Sequence, residues 1–159
     1  MIAAGFSLLL SALLVLPASF VAPKGWTART PPASSPVDFI WLSPGFGVSG
    51  NGENLTAMSH PVPSSTTLGA VVHDTISNVS DRTIVNSHSE STCHGRQAGW
   101  TFDARLPLPN GKAVSQIYHL TIVDGRAFAF IFTHTAGVPV GQAINDSIQS
   151  ICPGNNRVS

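Results

Sequence analysis

Four side chains of the kinds that bind metal ions lie close together in one short segment. They are His88, Glu90, Cys93 and His94. Imidazole, carboxylate and thiolate groups are the usual protein ligands of zinc. Their spacing matches no standard zinc finger, and Cys93 has a simpler partner in Cys152, the only other cysteine. We therefore expect no metal site and keep metal binding as a minor alternative.

A second group of candidates follows from a predicted hairpin. Asp124 and Gly125 form the residue pair that a two-residue type I′ turn prefers. Such a turn places Ser115 opposite His134, and a serine beside a histidine could act as a nucleophile–base pair. No third group that would orient the histidine is identifiable, and a serine in mid-strand is poorly exposed. We therefore predict a hydrogen bond between Ser115 and His134 within the sheet and no catalytic residue.

Three other features of the chain contain residues that occur in functional sites, but their sequence context favours a structural role. His119 lies between Ile117 and Thr121 on the same hairpin, which indicates a buried, hydrogen-bonded histidine. The segment 45–50 matches G-x-G-x-x-G by letter, but no helix is predicted after it, as a dinucleotide site requires. We predict no cofactor-binding residue. The phenylalanines of the hairpin are interpreted as core and not as a stacking surface: Phe128, Phe130 and Phe132.

These residues need a sheet to position them. The hairpin strands are apolar on both faces, whereas a sheet buried on one side alternates apolar and polar residues. We therefore predict an α+β fold in which helices cover both faces of an antiparallel sheet of about six strands, similar to an αβα sandwich. The predicted order is β-β-α-β-β-β-β-α, with helices at 67–79 and 142–152 and the first strands at 37–42 and 53–59.

Composition and the N-terminal segment indicate where the protein functions. The 159 residues suffice for one domain, and eight Lys plus Arg balance eight Asp plus Glu, so no basic surface for nucleic acid is expected.

Residues 1–22 are predicted to be a signal peptide, with cleavage after Ala18 or Ala22 and an uncleaved anchor as the alternative. A Pro/Ser-rich arm (23–36), a domain (37–153) and a tail (154–159) follow. In an exported protein Cys93 and Cys152 would form a disulfide; two free thiols are the alternative.

Several short motifs of the chain resemble those of a known small domain. They are Trp41-Leu-Ser-Pro-Gly45, Gly99-Trp100, the hairpin Asp124-Gly-Arg-Ala-Phe128, and the helix that ends at Ser150-Ile-Cys152. Together with the element order, residues 37–153 resemble the domain shared by the PsbP subunits of photosystem II and the Ran-binding protein Mog. They are also similar to small exported bacterial proteins in which a Cys-x-Gly-Arg-x-Ala segment pairs with a C-terminal Ile-Cys-Pro.

The resemblance implies an accessory or binding subunit without chemistry of its own. We therefore expect a secreted or periplasmic, non-enzymatic binding domain of the cell envelope or extracellular space. Its partner would be a protein or a small molecule and not nucleic acid, and no membrane span would remain after signal cleavage. The alternative is a small secreted hydrolase or metal-dependent enzyme that uses Ser and His residues of the sheet.

Overall fold

The computed structural model describes residues 16–47 and 52–154. These residues form one seven-stranded antiparallel sheet with a helix packed on each face. The elements are β1 (Thr27–Arg29), β2 (Phe39–Leu42), β3 (Asn54–Pro61), α1 (Leu68–Asn78), β4 (Thr83–Ser89), β5 (Gly99–Pro107), β6 (Ala113–Val123), β7 (Arg126–Thr135) and α2 (Gln142–Gln149). Across the sheet the strands are ordered β1-β2-β3-β7-β6-β5-β4.

The hairpin β6–β7 forms the centre of the sheet, in the predicted register. Asp124 and Gly125 have φ angles of 49° and 75°, the left-handed conformation that a type I′ turn requires at both central positions. Ser115 therefore pairs with His134, as the turn position predicted. The α+β class and the antiparallel sheet are confirmed.

Each face of the sheet carries its own hydrophobic core. This explains why both faces of the hairpin are apolar, because alternate residues of β6 and β7 enter different cores. We call the two sides the α2 face and the α1 face. Buried residues of the α2 face include Trp41, Leu55, Phe128, Phe130, Phe132 and Ile144. Those of the α1 face include Val72, Phe102, Tyr118, Leu120 and Ile131.

The two helices are fixed to the sheet in different ways. Helix α1 begins after Thr67, whose side chain accepts a hydrogen bond from the Ala70 N–H at 3.2 Å. This is a typical N-cap. Helix α2 has only eight residues and no side-chain cap at Gly141. A helix this short is marginal alone, so contacts at its C-terminal end must hold it in place.

The loop before β5 supplies the first set of these contacts. The sulfur atoms of Cys93 and Cys152 lie at disulfide-bonding distance, and their Cα atoms are 5.0 Å apart. Beside this pair, the Cys93 N–H donates to the Gln149 carbonyl at 3.1 Å. The buried Thr92 hydroxyl donates to the Ile151 carbonyl at 2.8 Å. The end of α2 is therefore joined to the entrance of β5.

The N-terminal segment supplies the second set. The Ser19 hydroxyl accepts from the Cys152 N–H at 2.7 Å and donates to the Cys152 carbonyl at 3.2 Å. The ring of Phe20 lies 5.0 Å from that of Phe130 and 5.3 Å from that of Trp41, measured between centroids. Ser19 and Phe20, which fall within the predicted signal peptide, therefore complete the core of the α2 face.

The N-terminal arm differs from the expected structure. The arm at 23–36, expected to be irregular, contributes the short strand β1, so the sheet has one strand more than expected. Residues 1–15 of the predicted signal peptide and residues 48–51 of the glycine-rich segment lie outside the described residues, as do 155–159 of the tail. Among the described residues, none of the helices has the length and apolar character needed to cross a bilayer.

Candidate ligand-binding site

A cavity of about 550 Å³ opens between α2 and the sheet. Helix α2 packs over β2, β3, β6 and β7, and the core beneath it contains no residue of β4 or β5. The sheet extends past the helix on that side, and the resulting space is what we call the α2 cavity. Its volume falls within the range of typical small-molecule sites, about 300–1,000 Å³.

The lining of the α2 cavity is divided into an apolar side and a polar side. The apolar side combines residues of β3, β6 and β7 with residues of α2 and of the segment before it: Leu55, Ile117, Phe130, Phe132, Val140, Ile144 and Ile148. The polar side combines residues of β4 and the loop after it, β5, β6 and α2: Asn86, His88, Glu90, Thr101, Asp103, His119, Asn145 and Gln149. This lining fits an amphipathic molecule.

His119 is the unusual residue of the cavity wall. Its side chain is only 3% exposed, and neither ring nitrogen has a hydrogen-bond partner. Burial lowers the pKa of His119 from 6.5 to about 4, so the ring is neutral at pH 7. The prediction of a buried histidine is confirmed, but the expected hydrogen bond is absent. A buried polar group without a partner requires an explanation, and here a cavity lies beside it.

The Ser115–His134 pair is present in register but is not arranged for nucleophilic attack. Ser115 is 2% exposed, and its hydroxyl donates to Oδ1 of Asp103 at 2.5 Å. The second carboxylate oxygen accepts from Nε of Arg105 at 3.0 Å. The hydrogen bond expected between Ser115 and His134 therefore does not form, because the Ser115 hydroxyl donates to Asp103 instead. The serine proton is directed to a carboxylate that is already paired with a cation.

His134 lies against the core beside this network. Its ring stacks on Phe132 with a centroid distance of 4.7 Å. Burial lowers the pKa of His134, while the nearby carboxylates of Asp103 and Glu53 oppose the shift. His134 does not line the α2 cavity, so it is a structural residue of the sheet.

The segment with four side chains of metal-binding types is divided by the fold. His88 and Glu90 lie at the rim of the α2 cavity, whereas Cys93 is buried against Cys152. Nδ1 of His88 donates to the Asn86 carbonyl at 2.7 Å, across an irregularity in β4. Within residues 16–47 and 52–154, no three His, Cys, Asp or Glu side chains are grouped in a way that could hold a metal ion.

A second cavity, of about 420 Å³, lies on the α1 face. It is mostly apolar and is lined by Met58, Val71, Leu120, Ala129 and Ile131 among others. The sequence predicted neither cavity, because each depends on how far a helix extends across the sheet. Alternation in β5 places Thr101, Asp103 and Arg105 on one face of the sheet, which forms the polar floor beside the α2 cavity.

Comparison with known proteins identifies the fold. No protein-family model matches the chain, and no curated protein matches it. Among solved structures, the chain has the fold of the PsbP-like small domains, as the resemblance implied. Cyanobacterial PsbP (CyanoP) from Synechocystis superposes with a TM-score of 0.54 at 20% identity, covering 74% of each chain.

Two further neighbours come from other bacteria. PA94 from Pseudomonas aeruginosa, of unknown function and described as a putative regulator, gives a TM-score of 0.51 at 12% identity over 81% of this chain and 83% of that one. LpqN of Mycobacterium tuberculosis, described as involved in cell envelope biogenesis, gives 0.50 at 10% identity over 82% and 75%. At such low identities the likeness establishes the fold alone.

Proposed function

We propose that this chain is an exported, non-catalytic domain of the cell envelope or extracellular space that binds a ligand in the α2 cavity. The proposal depends on one observation: the cavity is apolar on one side, polar on the other, and bounded by a buried imidazole without a hydrogen-bond partner. Ligand sites typically combine an apolar lining with a few placed polar groups. A ligand would give His119 the partner it lacks in the empty protein.

The state of the candidate nucleophiles supports binding over catalysis. The Ser115 hydroxyl is buried and donates to Asp103. Cys93 and Cys152 lie at disulfide distance, and a disulfide sulfur is not an attacking thiolate. A nucleophile needs exposure and an adjacent base, and neither the serine nor the cysteines meet both conditions.

The cysteine pair also supports an extracytoplasmic location. Disulfides persist in oxidising compartments and are rare in the cytosol, so the proximity of Cys93 and Cys152 fits a secreted or periplasmic protein. One structural neighbour is consistent with this location, since LpqN is described as involved in cell envelope biogenesis.

We further propose that the export signal is cleaved after Ala18 and not after Ala22. Cleavage after Ala22 would remove the Ser19 hydroxyl from both backbone groups of Cys152 and the Phe20 ring from the core. Cleavage after Ala18 retains both residues; among the described residues it removes Leu16, which packs on the core, and the buried Pro17, whose carbonyl accepts from the Phe20 N–H at 2.9 Å. The mature chain would then begin at Ser19.

Ligand binding can be tested with an uncharged fluorophore, N-phenyl-1-naphthylamine, whose emission rises in apolar sites. We expect the protein to bind it, and we expect Ile148→Trp, which fills the α2 cavity, to weaken binding at least tenfold. Val71→Trp is the matched control, because it places the same ring on the helix that borders the other cavity. Unchanged binding in Ile148→Trp, or loss only in Val71→Trp, would argue against the proposal.

Processing and location can be tested on protein recovered from the native host. Mass spectrometry of the intact protein, with and without reduction, reports both the N-terminus and the cysteine state. We expect a chain that begins at Ser19 in the extracytoplasmic fraction and contains no alkylatable thiol before reduction. A chain that begins at Pro23 would overturn the retention of Ser19 and Phe20. An unprocessed cytoplasmic chain with two thiols would overturn the export proposal.

A further inference from the structure

We propose that the ligand of the α2 cavity is an uncharged amphiphile: an aliphatic body that lies against α2 and β7, and one hydroxyl group that hydrogen-bonds to the ring of His119. This inference depends on the proposed function and specifies its ligand class. Three properties of the cavity lead to it: the charges on its wall, the state of His119, and the shape of its apolar side.

The charges of the lining argue against an anion. Two carboxylates, Asp103 and Glu90, line the cavity, and none of its described lining residues is a lysine or an arginine. The guanidinium of Arg105 forms an ion pair with Asp103, with 3.0 Å between Nε and Oδ2. A fatty-acid carboxylate would therefore lose its hydration without gaining a cation, and such a loss is costly.

The same carboxylates would stabilise a bound cation only weakly. The Asp103 carboxylate already accepts from Arg105 and Ser115, so a guanidinium offsets its charge and each of its oxygens already accepts a hydrogen bond. Glu90 lies at the exposed rim, where solvent and salt screen its attraction. The most buried polar residue of the wall is His119, and an ammonium group held beside its neutral ring would be poorly solvated.

The state of His119 favours a hydroxyl group. A neutral imidazole has one N–H donor and one nitrogen acceptor, and both are unpaired here. A hydroxyl group can donate or accept, so it can pair with either ring nitrogen in either tautomer. An unpaired buried polar atom costs about 1–3 kcal/mol, and a hydroxyl ligand would recover part of that free energy.

The apolar side of the cavity determines which apolar part of the ligand can fit. Phe130 and Phe132 form its base, and the aliphatic side chains of Ile144 and Ile148 from α2 and of Val140, which precedes the helix, form its roof. Together these side chains form an apolar slot between β7 and the helix. An alkyl chain or a comparable apolar skeleton fits it, with the hydroxyl end directed to the β5–β6 side, where His119 lies.

The test compares three ligands of equal chain length: n-decanol, n-decanoate and n-decylammonium. Binding to the full, oxidised chain is measured by displacement of N-phenyl-1-naphthylamine at pH 7. We expect n-decanol to bind at least tenfold more tightly than either charged ligand. His119→Phe should weaken n-decanol binding about tenfold, whereas His119→Gln, which keeps one donor and one acceptor, should retain most of it. His134→Phe is the matched control, a buried histidine outside the cavity, and should bind like the wild type.

Thermal stability distinguishes a ligand contact of His119 from a merely structural role. Because His119→Phe removes an unpaired polar group, it should raise the melting temperature of the empty protein while it weakens alcohol binding. Equal binding of all three ligands, tighter binding of a charged one, or equal n-decanol affinity in the wild type and His119→Phe would overturn the assigned class. If one of these results is obtained while the fluorophore still binds and Ile148→Trp still weakens its binding, the ligand class is wrong but the proposed function stands. Loss of fluorophore binding in the wild type would reject both.

Discussion

The ring of His119 occupies the space where a side chain at position 99 would stand. A Cβ at Gly99 would lie 2.7 Å from Cε1 and 2.8 Å from Nε2 of His119, and 2.5 Å from the Glu90 carbonyl oxygen. Gly99 is not among the glycines with positive φ, so its backbone would accept any residue. Glycine is needed here because β5 passes close to the histidine that bounds the α2 cavity.

We expect Gly99→Ala to lower the free energy of unfolding by about 1–3 kcal/mol, the usual effect of overpacking a well-packed site. The contact with a backbone oxygen cannot be relieved by a rotamer change. Urea unfolding at pH 7 measures the effect. Gly69→Ala is the control, because a Cβ there would meet only the Thr67 hydroxyl, at 3.9 Å, and alanine is the better helix former. Equal stability of Gly99→Ala and the wild type would contradict the described packing.

The pKa of His119 predicts how stability depends on pH. In the unfolded chain the ring titrates near 6.5, whereas burial lowers its pKa in the folded chain to about 4. Between these values the unfolded state binds more protons, so stability is complete above pH 6.5 and is lost as the pH falls toward 4. His134 shifts in the same direction. Between pH 7 and pH 5 the wild type should lose on the order of 2 kcal/mol from His119.

His119→Phe separates this contribution from the rest. We expect the variant to lose less stability than the wild type between pH 7 and pH 5, as measured by urea unfolding at each pH. His134→Phe should reduce the loss as well, and the double variant should reduce it further. The carboxylates near these rings, Glu90, Asp103 and Glu53, are unchanged in all variants. If His119→Phe retained the full pH dependence, the ring would not be buried in its neutral form.

The turn chemistry and alternation of the chain were enough to predict the central architecture. Asp124-Gly125 determined the turn, and a two-residue turn leaves only one register, so the pairing of Ser115 with His134 followed. Strand β1 was not predicted, because its three residues are all exposed and show no apolar alternation. The contacts of Phe20 were not predicted either, since an apolar leader has the same composition whether it is removed or packed.

The candidate site was much less predictable. The depth of the α2 cavity depends on the short length of α2 and on where Cys152 holds its end, which are tertiary properties. His119 could be predicted as buried from its apolar neighbours, but not as unpaired, because that depends on which groups β4 and β5 present to it. Asp103 came beside Ser115 only through the β5–β6 register, which no short turn fixes in advance.

Removal of the cysteine pair should destabilise the domain and loosen the α2 cavity. Cys93 and Cys152 are separated by 59 residues, and cross-links of this kind typically contribute about 2–4 kcal/mol. The double variant Cys93→Ser/Cys152→Ser should lose stability in that range and bind the fluorophore more weakly, because α2 borders the cavity. Thermal unfolding of the wild type with and without a thiol reductant is the parallel measurement. A wild type that is insensitive to reductant would show that the cross-link does not form.

The contacts of the N-terminal segment lead to a last prediction. The Phe20 ring lies between Trp41 and Phe130 and is half-buried, so Phe20→Ala should lower the free energy of unfolding of the full chain by about 2 kcal/mol, less than a fully buried phenylalanine. Val21→Ala is the matched control, since Val21 is 63% exposed and should change stability by less than about 0.5 kcal/mol. Urea unfolding of both variants measures the difference. Equal stabilities would show that the segment does not pack on the sheet, and they would remove the reason to place signal cleavage after Ala18.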